Sequence, residues 1–224
     1  MNAVQEAWRL SGIGDDPLFA SLVGLTVVVA AADWWAVATD RRRAEYLLKP
    51  LTMVVLIAAA VWLDDPASPA ARWWMVAGLV CSLAGDVFLM LEDLFVPGLA
   101  SFLVGHVAYV VALWQLGVST GAFMAGLVLV AALVAVIGVR IVRGARAHDV
   151  RLALPVAAYI GVISLMVASA IGTTIAVAVA GALLFYASDA CIGWSRFLQD
   201  FRGARLWIMT TYHLGQVGLV LALV

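Results

Sequence analysis

A chain of 224 residues that is 65% hydrophobic and only 12% charged lies far from a soluble globular domain, which is about half apolar and a quarter charged. A mean hydropathy of +1.06 excludes a disordered chain and a small disulfide-stapled domain. The net charge of −1 offers no basic face for phosphate backbones, so no nucleic acid partner is expected.

A membrane helix needs about 20 apolar residues to cross about 30 Å of hydrocarbon. By that ruler the chain is predicted to be all-α, a polytopic membrane protein built as a bundle of eight transmembrane helices. The spans fall at 18–37, 47–63, 73–91, 94–116, 121–142, 152–170, 173–194 and 206–224. Residues 1–17 form a polar N-terminal segment without a basic n-region or cleavage site, so no removable signal peptide is read. Trp8 places that segment at the membrane surface, and residues 18–224 form a single eight-helix transmembrane domain. Charged and Pro-rich strings punctuate the spans: DRRR at 40–43, DDPASP at 64–69, ED at 92–93, RGARAHD at 143–149 and QDFRGAR at 199–205. The tightest break is at Gly172 and Thr173.

Tryptophan marks the span ends. Trp34, Trp35, Trp62, Trp73, Trp74, Trp114, Trp194 and Trp207 all lie where indoles prefer the headgroup level. Cys81 and Cys191 fall inside apolar runs and read as buried free thiols. Arg41, Arg42, Arg43, Lys49, Arg140, Arg143, Arg146, Arg151, Arg196, Arg202 and Arg205 share one side, leaving only Arg9 and Arg72 opposite. The positive-inside rule then puts both termini outside the cytoplasm, in a bacterial inner membrane.

Ionisable groups left inside the spans are functional candidates, because a charge at membrane depth is costly. They are Asp86 in the third span, His106 in the fourth, Asp189 in the seventh and His213 in the eighth, with Lys49 at the mouth of the second. Asp86 lies five residues before the inner end at Leu91, about 8 Å at 1.5 Å per residue. Asp189 precedes Trp194 by five residues, and Tyr212 follows Trp207 by five. Tyr159 is seven residues into the sixth span, while His106 is twelve residues into the fourth, nearer the midplane. Independent spans therefore place polar groups in one layer, the cytoplasmic half. Ser82 shares a helix face with Asp86 four residues on, where it could orient the carboxylate. Lys49 before Pro50 suits a helix start with proline in the first turn.

Two carboxyl groups close together in a dry layer can hold one proton between them. Such a pair suits acid-catalysed cleavage through an oxocarbenium-like cation, and equally a proton-coupled transporter or a lipid-binding membrane protein. The Asp–His order recurs 20 residues apart in the third and fourth spans and 24 apart in the seventh and eighth, a hint of a transporter-like repeat. A metal-dependent membrane hydrolase using His106, His213 and both aspartates is a further reading. No HExxH or phosphate loop is present, and no nucleophile elbow on a strand-to-helix turn is read.

The strings KPLTM at 49–53, SLAGDVFLML at 82–91, SFLVGHVAYV at 101–110, GALLFYASDACIGWSRF at 181–197 and YHLGQ at 212–216 resemble the successive motifs of the YhhN family, the lysoplasmalogenases. The resemblance covers spans two to eight in order and spacing. It implies hydrolysis of the vinyl ether bond of lysoplasmalogens, releasing a fatty aldehyde and glycerophosphocholine or glycerophosphoethanolamine, with no metal or other cofactor. By position, Lys49, Asp86, His106, Tyr109, Ser188, Asp189, Tyr212 and Gln216 match polar residues of the family motifs. His213 and Gly215 depart from them, standing where the family has Tyr and Ala. Asp86 and Asp189 are thus the expected catalytic pair, with Asp189 favoured as proton donor and Asp86 as stabiliser of the cation. Lys49, Ser82, His106, Tyr109, Tyr159, Ser188, Tyr212, His213 and Gln216 are the expected substrate-binding residues. Lys49 is expected at the lipid phosphate, and the partners are a lysophospholipid and the surrounding membrane lipid.

Overall fold

The computed structural model describes residues 16–91 and 93–224. The expectations for residues 1–15, Trp8 among them, fall outside the described residues. Among the described residues eight helical segments follow in order: α1 (Pro17–Ala38), α2 (Arg42–Trp62), α3 (Pro69–Met90), α4 (Phe95–Gln115), α5 (Thr120–His148), α6 (Val150–Thr173), α7 (Ala176–Phe197) and α8 (Ala204–Leu221). Seven of them are long and apolar enough to cross a membrane. The eighth, α8, is 18 residues long and is diluted by Thr210, Thr211, Tyr212, His213 and Gln216.

Helix starts follow local chemistry. The Asp16 carboxylate accepts from the Phe19 amide at 2.9 Å, ahead of Pro17 at the first helical position of α1. Ser68 and Pro69 repeat the device at α3, with the Ser68 hydroxyl accepting from the Ala71 amide at 3.3 Å.

Three boundaries differ from those expected. Helix α2 begins at Arg42, so Pro50 sits inside it rather than in its first turn. The preceding Arg, Ala, Glu and Leu residues are strong helix formers, and Glu45 is held by Arg205 at 2.5 Å. The arginine-rich 143–149 stretch is mostly helix, not loop, because α5 continues to His148. Its extension is anchored where Ile141 and Ala145 pack with Val156 and Phe197. The α6–α7 break falls at Thr174, whose φ of +60° turns the chain left-handed, rather than at Gly172.

Packing runs in sequential hairpins, α1 with α2, α3 with α4, α5 with α6 and α7 with α8. Helix α4 also packs on α6, and α8 returns to α1, α2 and α3. The α7–α8 contact is close: a Cβ on Gly215 would lie 2.9 Å from the Phe185 amide nitrogen. Helix α5 contains one π-helical turn, Val134–Gly138.

Trp35, Trp62, Trp73, Trp74, Trp114 and Trp207 are exposed, as residues of a headgroup belt should be. At the charged end of the bundle, the turn after α1 is tied to α8 by Arg205, 2.9 Å from Asp40. The hydrogen bond from Arg205, then the charge of Arg42, holds the Asp40 carboxyl below the usual carboxylate range.

Candidate active site

Charges buried among apolar helices are tolerated only when they are paired and hydrogen-bonded. The Lys49 ammonium of α2 lies 3.0 Å from Oδ1 of Asp86 on α3, with side chains 7% and 2% exposed. The Tyr212 hydroxyl of α8 donates to Oδ2 of Asp86 at 2.7 Å, so both carboxylate oxygens are engaged. The ammonium also sits 6.0 Å from the Tyr212 ring centroid.

Asp189 has different company. Its Oδ2 accepts from the Tyr159 hydroxyl at 2.5 Å and lies 3.7 Å from Nε2 of His106. His106 Nδ1 donates to the Phe102 carbonyl at 2.6 Å, because a carbonyl can only accept. In the neutral ring Nε2 is then a bare acceptor facing Asp189, with no hydrogen bond of its own among the described residues. His106 is therefore partnered with the acid of the opposite half of the chain, rather than with Asp86.

A third network lies beside these. Tyr109 donates to Oε1 of Gln216 at 2.7 Å, and its hydroxyl is 3.2 Å from Ser82 Oγ. The Phe185 ring separates the networks, with centroids 4.7 Å from His106, 5.3 Å from Tyr212 and 6.3 Å from Tyr109. No hydrogen bond joins Asp86 to Asp189 among the described residues, though Asp189 lies within reach of the Asp86 charge. The two acids are neighbours in separate settings, not a dyad sharing a proton directly.

A narrow apolar cleft opens beside Asp189, between α4, α5, α6 and α7. Phe102, Ile141, Val156, Ile163 and Tyr186 line it, and Asp189 is its one acidic lining residue. The π-helical turn contributes Ile137 and Gly138, an irregularity of the kind found at functional sites. A second, charged opening shares Leu89, Phe95 and Ile192 with this cleft, and adds Glu45, Lys49, Ser195, Arg196, Asp200 and Arg205. Together they form an apolar slot with a charged vestibule.

The YhhN family model matches residues 44–223, which takes in the whole site from Lys49 to Gln216. The chain belongs to the YhhN family. It is 33% identical over 169 residues to the human lysoplasmalogenase TMEM86B, covering 75% of this chain and 71% of that protein. The pig lysoplasmalogenase TMEM86B is 32% identical over 174 residues, 76% of this chain and 71% of the relative. The rat lysoplasmalogenase TMEM86B is 30% identical over 177 residues, 78% and 70% of the two chains. No solved structure matches the chain.

Within this YhhN bundle, Lys49, Asp86 and Tyr212 meet at one centre, and His106, Tyr159 and Asp189 at another. Tyr109, Ser82 and Gln216 adjoin them. Five expectations change. Lys49 borders the vestibule, but its ammonium is taken by Asp86 rather than standing open to a phosphate. Ser82 pairs with Tyr109 instead of orienting Asp86. Ser188 donates to the Ile208 carbonyl at 3.1 Å, because one residue before Asp189 is about 100° around the helix and faces α8. His213 keeps its ring 5.3 Å from that of Tyr212, but its Nδ1 is taken by α1, where it accepts from Trp34 Nε1 at 3.1 Å. Trp34 is accordingly an internal donor rather than a belt residue.

Asp33 of α1 was not singled out from sequence. It is fully buried, and neither carboxylate oxygen has a hydrogen-bond partner among the described residues. It is close enough to Lys49, Glu45, Asp86 and Arg205 to feel their charges. The rule that marked Asp86 applies to it, but its place beside Trp34 and Trp35 near the span end masks the signal. Both Asp33 and Trp34 lie ahead of the family match. Among the described residues no group of three or more His, Cys, Asp or Glu side chains is arranged to hold a metal ion.

Proposed function

We propose that the protein is a lysoplasmalogenase, hydrolysing the vinyl ether bond of a lysoplasmalogen to a fatty aldehyde and a glycerophosphocholine or glycerophosphoethanolamine. The observation that carries the reading is the placement of Asp189, held by Tyr159 in the wall of an apolar cleft, beside a second acid paired with Lys49. Kinship to the lysoplasmalogenases supports the same substrate.

The two acids have environments that suit two roles. Asp86, with an ammonium at 3.0 Å, is the anion of the site. Asp189, flanked by the neutral Tyr159 and His106, carries the proton. With the alkenyl chain in the cleft, Asp189 protonates the β-carbon of the vinyl ether, and positive charge spreads over the α-carbon and the ether oxygen. The new Asp189 carboxylate then faces that oxocarbenium ion and stabilises it. Water adds to the α-carbon and passes its proton to Asp86, held in place by Lys49 and Tyr212. In the collapse of the resulting hemiacetal, Asp86 protonates the departing glycerol oxygen and Asp189 takes the hydroxyl proton. Aldehyde is released and both acids return to their starting states.

The charge asymmetry of the loops supports a site in the cytoplasmic half, with both termini outside. The test is purified protein with 1-alkenyl-glycerophosphocholine and a readout of free aldehyde. Wild-type protein releases aldehyde, and Asp189→Asn lowers kcat by about a hundredfold or more, the scale of a lost general acid. Near-normal turnover in folded Asp189→Asn protein would remove that residue from the chemistry.

A further inference from the structure

The charged vestibule beside the cleft is lined by three cations, and two of them are already neutralised. Lys49 is bound to Asp86 at 3.0 Å. Arg205 is bound to Asp40 at 2.9 Å and to Glu45 at 2.5 Å. Arg196 alone of the three has no carboxylate within ion-pair distance among the described residues. Its guanidinium lies 3.7 Å over the Phe95 ring, which fixes its plane while leaving its N–H edges unused. Next to it, the Ser195 hydroxyl oxygen is buried and has no hydrogen-bond partner among the described residues.

The sequence puts Arg196 in register with the chemistry. Asp189, Ile192 and Arg196 are spaced by three and four residues, so they form one stripe along α7. Arg196 stands about 10 Å beyond Asp189 toward the mouth, at 1.5 Å of rise per residue. Ile192 is common to the walls of cleft and vestibule. A single-chain lipid with its tail in the cleft and its ether oxygen at Asp189 projects its glycerol arm along this stripe into the vestibule.

We propose that Arg196, with Ser195, is the phosphate-binding subsite for the glycerophospho headgroup of the substrate. The inference rests on the lysolipid reading of the cleft. Its occupant is the phosphodiester of the bound lysolipid itself, held by charge-assisted hydrogen bonds from the guanidinium fork and one from the Ser195 hydroxyl. Lys49, assigned to the phosphate from sequence, belongs instead to the acid centre.

The test compares two substrates in vesicles of one fixed composition: 1-alkenyl-glycerophosphocholine, and 1-alkenylglycerol, which lacks the phosphate. Arg196→Gln is expected to raise KM for the phospholipid about tenfold or more, the scale of lost charged hydrogen bonds, with kcat unchanged. KM for 1-alkenylglycerol stays at its wild-type value. Arg196→Lys keeps the charge but not the fork and falls between, and Ser195→Ala raises KM for the phospholipid alone by a smaller factor. An unchanged KM for the phospholipid in Arg196→Gln overturns the subsite. An equal rise for both substrates overturns it as well, since that marks contact with bulk lipid phosphate or general packing. A parallel binding measurement uses the uncleavable 1-alkyl-glycerophosphocholine and 1-alkylglycerol. If wild-type protein cleaves neither alkenyl lipid, the reaction reading falls, and this binding pair still decides the subsite. Selective loss of the phospholipid in Arg196→Gln upholds it, and equal binding by wild type and variant overturns it.

Discussion

Replacing Lys49 with Met isolates the ion pair at the centre of the site. The substitution keeps much of the aliphatic volume and removes the ammonium, leaving Asp86 with the Tyr212 hydroxyl on Oδ2 and nothing on Oδ1. Both side chains of the pair are less than a tenth exposed, so bulk water is a poor substitute for the lost partner. Breaking a buried pair from one side costs about 3–5 kcal/mol, against about 0–1 kcal/mol for an exposed pair. Lys49→Met should therefore unfold much more readily, and its kcat should fall while KM holds, because the lysine positions Asp86 rather than the headgroup. The double variant Lys49→Met, Asp86→Asn removes both charges and should recover most of the stability. That coupling should exceed the range of about 0.5–3 kcal/mol usual for contacting residues, because each single variant strands a buried partner. The assay is reversible unfolding in mixed micelles, followed by fluorescence of the nine tryptophans, with kinetics on the same samples. A single-variant loss below about 1 kcal/mol, with additive effects in the double variant, would refute a buried functional pair.

Tyr159→Phe removes the hydroxyl that orients Asp189, and kcat should drop by about tenfold, near one hydrogen bond's worth, with KM preserved. Ser188→Ala should leave steady-state kinetics unchanged despite the neighbouring acid, since its hydroxyl only reaches the Ile208 carbonyl; a large fall in kcat would put it back in the chemistry. Gly215→Ala should destabilise this bundle by about 1–3 kcal/mol in thermal melts, because its Cβ would press on the Phe185 amide and force α7 from α8. Asp33→Asn should change kcat by less than Asp86→Asn does, because no hydrogen bond ties Asp33 to the reacting network among the described residues; equal losses would place it in the machinery.

Much of the bundle is legible in sequence because lipid imposes one rule on every span, and charged or Pro-rich strings interrupt it. The rule fails where helices outrun the membrane. Arg42–Tyr46 and Arg143–His148 are mostly polar but helix-forming, so hydropathy starts the one span late and ends the other early. Asp86, Asp189, Tyr159 and Tyr212 are recoverable from depth alone, because a buried polar group must find others at its own level. Azimuth is harder. Ser188 and His213 each sit next to a site residue in sequence, and the turn of about 100° per residue aims them at a neighbouring helix. Partner choice is harder still: Lys49 reads as a headgroup contact until α2 and α3 are seen to bring it onto Asp86. Phe185 and Phe102 give no signal in an apolar run, yet their rings separate and shape the polar centres.

The central claim is that Asp189 delivers a proton to the β-carbon of a vinyl ether. Hydrolysis of 1-alkenyl-glycerophosphocholine in D₂O tests it, with the aldehyde trapped by immediate reduction and analysed by mass spectrometry. The account predicts one deuterium on the carbon next to the carbonyl in wild-type product, formed at a rate that falls about a hundredfold in Asp189→Asn. Aldehyde without that deuterium, or equal rates in wild type and Asp189→Asn, would contradict it.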